Sequence, residues 1–209
     1  MLKFAVLIYD GVEELDFTGP YEVLASVGEV FTVAATEGVR GRHGLRVLAD
    51  YTWENAPQPD VLVIPGGPVT REDPQSLAGA VEYVRRTAPE CRLVLTVCTG
   101  AFIAAQAGLL DGKSCTTHYR RRHLLAAQFP NLRLRYARVV ADGKMVSTAG
   151  VAAGIDGALF VVSRFFGLER AHKLAKQIEY PWHSSHTVHD GSMVEPYEFP
   201  EESARTWAW

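Results

Sequence analysis

Cys91, Cys98 and Cys115 are the strongest nucleophiles in the chain, and one of them stands where a reactive thiol gains most. Cys98 ends a run of β-formers, Leu93-Val94-Leu95-Thr96-Val97, and is followed by Thr99-Gly100 and an alanine-rich helical stretch. A residue at such a joint projects from the carboxyl end of a sheet, where open α/β sheets collect their ligands. It also lies at a helix N-terminus, whose exposed N–H groups and dipole favour thiolate over thiol. The position predicts an exposed thiol of lowered pKa at Cys98. Cys91 and Cys115 lack this setting and read as core-filling cysteines. Two further loops should end beside it: Asp10-Gly11-Val12-Glu13-Glu14-Leu15-Asp16 after the first strand, and Gly66-Gly67 after 61–65. The N–H groups of Thr99 and of Gly66-Gly67 are expected to hold a developing anion.

The elements that must position these loops alternate between β and α character. Strands are expected at 4–9, 30–36, 61–65 and 92–97, with a short one at 44–51. Helices are expected at 20–28, with Pro20 at its start, and at 74–88, 100–110, 151–166 and 168–179. Further strands are expected near 115–117, 133–140 and 144–148, the last two joined at Ala141-Asp142-Gly143, a hairpin signal. Continuous apolar strands alternating with helices predict a mostly parallel sheet covered on both faces. No internal repeat or interdomain linker interrupts this domain, 1–180. From Pro181 to Trp209 the chain loses periodicity and reads as an irregular C-terminal extension over the surface. His183, His186 and His189 are three apart, which invites a metal reading; in a Ser-rich irregular segment a solvated tail is the plainer one, and no metal site is expected.

Composition narrows the function. The 209 residues are 47% hydrophobic and 22% charged, with a net charge of −3 and no basic block. The electrostatic footprint of a nucleic-acid binder is missing. No apolar run reaches the ~18 residues that span a bilayer. MLKFAVLIYDGVEELD turns acidic too soon for a signal peptide and reads as a first strand. An odd number of cysteines without CxxC spacing argues against a disulfide framework or zinc site and suits a reducing cytoplasm.

The segments EELDFTGPYEVL (13–24), VLVIPGGP (61–68), TVCTGAFIAAQAGLLDGKSCTTHY (96–119) and VSTAGVAAGIDGAL (146–159) together resemble the ThiJ/PfpI superfamily, related to class I glutamine amidotransferases. The resemblance covers about 1–180 and implies an α/β flavodoxin-like three-layer sandwich with a strand-to-helix nucleophile elbow. Within the superfamily the pattern is similar to isonitrile hydratases, and equally to the amidotransferase-like ligand domains of AraC-type transcription regulators. It implies that Cys98 is the nucleophile, Asp16 the acid beside it and Thr99 the residue after the nucleophile that takes part in the site. His118, in the TTH stretch, would approach the pocket or serve as a hydrogen-bonded structural histidine; Glu13 and Glu14 would face solvent. A carboxyl facing a thiolate makes sense only if they share one proton, which would let Asp16 act as a general acid.

Thr99 stands where peptidase-like members have His, so no Cys-His dyad is available in sequence. The redox-sensing, deglycase-like members carry Glu where Asp16 sits. The expected activity is hydration of an isonitrile, or a related small electrophile, to an N-substituted formamide, with a small-molecule substrate, no cofactor, no nucleic-acid or membrane partner, and a homodimeric assembly. The alternatives are a non-catalytic sensing domain and a scavenger of electrophiles or oxidants. Tyr9, Trp53, Tyr119 and Trp182 are aromatic candidates for the substrate pocket.

Overall fold

The runs 4–8, 61–64 and 93–97 are apolar at nearly every position, so their strands can be covered on both faces. In the computed structural model, which describes residues 1–189, they lie side by side. The chain runs β1 (Lys3–Leu7), α1 (Glu14–Ala25), β2 (Glu29–Ala34), β3 (Gly38–Arg40), β4 (Arg46–Leu48), β5 (Tyr51–Thr52), β6 (Val61–Ile64), α2 (Val69–Glu72), α3 (Ala78–Thr87) and β7 (Leu93–Thr96). It continues through α4 (Gly100–Gln106), β8 (Ser114–Cys115), α5 (Arg122–Gln128), β9 (Arg133–Leu134), β10 (Val139–Asp142), β11 (Met145–Thr148), α6 (Ala153–Phe166), α7 (Leu168–Gln177) and β12 (Thr187–His189).

The main sheet has the order β12-β10-β11-β7-β6-β1-β2-β5. Every neighbouring pair is parallel except the β10–β11 hairpin. α1, α6 and α7 pack together, as do α3 and α4, and the helices flank the sheet. This is the expected α/β, flavodoxin-like layering. Phe4 to Ile8, Val61 to Ile64 and Val94-Leu95 are wholly buried. Because β1, β6 and β7 are adjacent, the loops leaving their carboxyl ends converge. No helix among the described residues is long and apolar enough to cross a membrane.

Several elements differ from the sequence reading: the strand expected at 133–140 is split into β9, which pairs with β8 outside the main sheet, and β10, and α2 was not anticipated. Helix α1 begins at Glu14, so Pro20 lies inside it and Asp16 stands in its first turn rather than in a loop. A proline there deletes one rung of the helix ladder; burial of Gly19 and Pro20 against Ile155 and Gly154 of α6 offsets the loss. The expected strand at 44–51 is instead a β3–β4 hairpin, separate from the main sheet, followed by the short edge strand β5. Helix α5 was not anticipated; its buried Leu125 anchors it. The segment from Pro181, expected to be irregular, buries Trp182 against His172 and then adds β12 to the sheet edge beside β10. Its remainder, 190–209, lies outside the described residues.

Gly100 opens α4 directly against the end of β6. A Cβ there would fall inside the van der Waals shell of the Ile64 carbonyl oxygen, a backbone atom that cannot swing aside. Gly100→Ala is therefore expected to lower stability by ~1–3 kcal/mol through overpacking. A urea melt checks this; an unchanged midpoint would show that the elbow relaxes freely.

Candidate active site

The site begins with a strained backbone. Cys98 has φ +54°, in the left-handed region that a residue with a Cβ rarely occupies. Such a conformation costs of order 1–3 kcal/mol and persists only where its surroundings fix it. Here the Cys98 N–H donates to the Ala149 carbonyl at 3.1 Å, and the Thr117 hydroxyl donates to the Cys98 carbonyl at 2.7 Å. The chain turns sharply between β7 and α4, and the thiol sits at the floor of a cleft of about 360 Å³, 6% exposed.

Asp16 faces it from α1 and is wholly buried. The Gly66 N–H donates to its Oδ2 at 2.9 Å, while Oδ1 has no ordinary hydrogen-bond donor. The Cys98 thiol is placed to hydrogen-bond the carboxyl. Burial pushes the Asp16 carboxyl up to about 8, and the Glu13 charge adds to this against the lowering by Gly66 N–H, Cys98 and Arg42. Burial also drives the Cys98 thiol well above its ordinary value, with Asp16 reinforcing it. The expectation of an exposed thiol of lowered pKa is thus corrected on both counts: the thiol is buried, and desolvation and a neighbouring carboxyl outweigh the start of a seven-residue helix. The pair accommodates one negative charge, not two. On the sulfur, that charge would be met by the N–H groups of Thr99 and Val151.

The glycine loop is arranged differently from expectation. The Gly66 N–H is committed to Asp16, and the Gly67 N–H donates to Thr99 Oγ1 at 3.0 Å. Thr99 Oγ1 donates in turn to the Gly67 carbonyl at 3.1 Å. Neither glycine amide is free for a developing anion; they fix the carboxyl and the elbow instead. Gly66 is required here because a Cβ would stand 2.9 Å from Asp16 Oδ2 and 2.6 Å from Thr99 Oγ1. Val151, whose own φ is +39°, is the donor that the sequence did not reveal.

His118 and Tyr119 line the cleft, with Gly67, Thr99 and Val151. The Arg120 N–H donates to His118 Nδ1 at 3.3 Å, which places the proton of a neutral ring on Nε2. Burial, followed by Arg120, Arg121, Arg71 and Arg122, lowers His118 to about 4, so it is neutral at physiological pH. Of the other aromatic candidates, Tyr9 is buried below the site and donates to the Pro65 carbonyl at 2.7 Å. Trp53 packs against Gly79 and Trp182 against His172, so neither lines the cleft.

Glu13 is buried at the cleft wall rather than facing solvent, and Arg42 donates to its Oε2 at 2.6 Å. Glu14 accepts from the His43 N–H at 2.6 Å and lies 2.7 Å from His43 Nδ1. Glu13, Glu14 and His43 bring potential ligand atoms within 4.8 Å of one another. Their bonds to Arg42 and to each other already satisfy them, and the site chemistry calls for no ion. The side chains of His186 and His189 lie outside the described residues. Arg42, Arg71, Arg120 and Arg121, which complete the cleft wall, were not anticipated as site residues. The run Arg120-Arg121-Arg122 is the one signal that could have pointed to them.

A model of the DJ-1/PfpI family matches residues 2–164. The chain is 36% identical over 187 residues to the isonitrile hydratase of Pseudomonas putida, spanning 86% of this chain and 78% of that protein. It is 28% identical to the HTH-type transcriptional regulator GbdR of Pseudomonas aeruginosa over 66% of this chain, which is 37% of the regulator. Among solved structures, a ThiJ/PfpI family protein from Pseudomonas syringae superposes with a TM-score of 0.81 at 28% identity, covering 87% of this chain and 76% of that one.

The buried pair predicts a pH signature. Between the ordinary Asp value of 3.8 and about 8, folded Asp16 keeps a proton that the unfolded chain has lost. Stability must therefore fall with rising pH through that window, by up to about 1.4 kcal/mol per pH unit, and level off above it. Asp16→Asn should remove this component, so the variant should gain on the parent as pH rises from 5 to 8; parallel urea-derived profiles would refute the assignment. Iodoacetamide should alkylate Cys98 before Cys91 or Cys115, with a rate rising about tenfold per pH unit until near pH 8. Earlier labelling of either other cysteine, mapped by peptide mass spectrometry, would contradict the cleft geometry.

Proposed function

The chain belongs to the DJ-1/PfpI family, and we propose that it hydrates an isonitrile to an N-substituted formamide. The observation that carries this reading is the desolvated Asp16 carboxyl set against Cys98 at the floor of the cleft. An isonitrile's terminal carbon accepts a nucleophile and must then accept a proton, so the reaction needs a thiolate and a neutral acid together near pH 7. A pair that loses one proton and resists losing the second supplies both.

The steps follow from that geometry. The Cys98 thiolate forms a C–S bond to the terminal carbon, and that carbon takes the Asp16 proton, leaving a thioimidate and a carboxylate. Water adds its oxygen to the same carbon and one proton to nitrogen. The C–S bond then breaks to restore the thiolate, while the other water proton returns to Asp16. The Thr99 and Val151 N–H groups stabilise the sulfur anion at both ends of the cycle. No metal or organic cofactor enters the balance.

Similarity to the isonitrile hydratase supports this activity. Similarity to part of a transcription regulator supports a ligand-sensing reading instead. Sensing requires a cleft but no acid poised against a thiol. Oxidant handling would use the Cys98 thiolate alone and leave the carboxyl poised against it without a part.

Cyclohexyl isonitrile incubated with the purified protein should give N-cyclohexylformamide, detected by mass spectrometry. Cys98→Ser should abolish turnover, and Asp16→Asn should lower kcat/KM by ~10²-fold or more while the protein stays folded. Undiminished turnover in folded Asp16→Asn would remove the acid from the mechanism. Absence of formamide from alkyl and aryl isonitriles alike would overturn the hydratase reading.

A further inference from the structure

Beyond the acid–thiol pair, the polar wall of the cleft is cationic. Arg42, Arg71, Arg120 and Arg121 line it, against a single acid, Glu13. Arg42 is bound to that acid, and Arg120 donates its Nε–H to the Tyr119 hydroxyl at 2.7 Å. Arg71 is half-buried, and its only acidic partner among the described residues is its neighbour Glu72, itself 64% exposed. Arg121 makes no ion pair among the described residues.

Two groups in the cleft register this imbalance. His118 is held neutral by burial and by the surrounding arginines. Arg71 is lowered from its ordinary value by burial and then by Arg121. Two guanidinium groups placed near each other in a partly desolvated cleft have between them a single acidic partner among the described residues, the exposed Glu72. Such a wall is complementary to an anion. A planar guanidinium fork matches a carboxylate with two parallel hydrogen bonds. The same fork fits a phosphate, but the Gly66 and Gly67 amides that could add a backbone N–H cradle for one are committed to Asp16 and Thr99.

We propose that Arg71 and Arg121 bind a carboxylate on the substrate, whose other end presents an isonitrile carbon to Cys98. The substrate class is then an isocyano carboxylic acid and the product its N-formyl amino acid, a refinement that rests on the hydratase reading. A cleft of about 360 Å³ has the size of a small-molecule site and reaches from the thiol to both arginines.

The test compares 4-isocyanobenzoate with its uncharged methyl ester. The acid should be hydrated with a kcat/KM at least ~10-fold higher at low salt, as expected for charge-assisted hydrogen bonds, and the preference should shrink as ionic strength rises. Arg71→Gln and Arg121→Gln should each bring the acid-to-ester ratio towards one, mainly through KM for the acid. Calorimetric binding of 4-formamidobenzoate and its methyl ester supplies a readout without turnover. If neither isonitrile is hydrated but the formamido acid binds at least ~10-fold tighter than its ester, the hydratase reading fails and the carboxylate site stands. A ratio near one in the parent protein, in both turnover and binding, would overturn the proposal. So would a preference that survives both substitutions.

Discussion

A carboxyl and a thiol are confined together where water cannot screen them, and the region around Cys98 is organised by that confinement. Two negative charges at this spacing in a dry site are untenable, so the pair holds one. Its neighbours divide that charge. The Gly66 N–H favours it on Asp16, whereas the Thr99 and Val151 N–H groups favour it on Cys98. Arg71 feels the sulfur, and Arg42 feels both members of the pair. The acid and the nucleophile are therefore two states of one proton, and small changes in the cleft shift the balance between them.

The strand order makes the confinement possible. β1, β6 and β7 are consecutive in the sheet, so α1, the Gly66-Gly67 loop and the elbow must meet at one edge. β11 lies beside β7 and ends near Ala149, which brings that carbonyl to the Cys98 N–H and Val151 to the sulfur. The strain at Cys98 is borne by bonds from two different segments, β11's end and Thr117. Loosening either would let the turn relax and carry the thiol away from Asp16. The small residues serve the same end: Gly66 lets the carboxyl approach, and Gly157 lets α6 lie close on Leu95 and Thr148 beneath it.

Much of this was legible in the sequence because burial on both faces leaves an unmistakable apolar run. The strands at 61–64 and 93–96, and the cysteine at the end of the latter, follow from such runs alone. Asp16 and His118 could be placed only through resemblance, since nothing local distinguishes them from other loop residues. Pro20 misled because a proline most often starts a helix; here packing on α6 offsets its defect and the helix begins at Glu14. The direction of the Cys98 shift was misjudged because a helix start is visible in sequence and desolvation is not. The arginines escaped notice because Arg42, Arg71 and Arg121 come from three separate segments. Each alone is an ordinary surface cation, and only the fold makes them one wall.

The raised thiol pKa looks at first like an obstacle to nucleophilic catalysis, but it separates this site from a general reactive cysteine. A thiol lowered to full ionisation at pH 7 would be a weaker nucleophile per thiolate and open to oxidation. A thiolate that appears only when its partner keeps the proton is strong when formed and always accompanied by an acid. Carbon electrophiles that need attack and protonation at the same atom use both halves of that state, whereas simple oxidants or alkylating agents use only one. The cost is a small ionised fraction at neutral pH. The Thr99 and Val151 N–H groups counter that cost by favouring charge on sulfur, so the backbone of the elbow sets how much thiolate stands ready beside its acid.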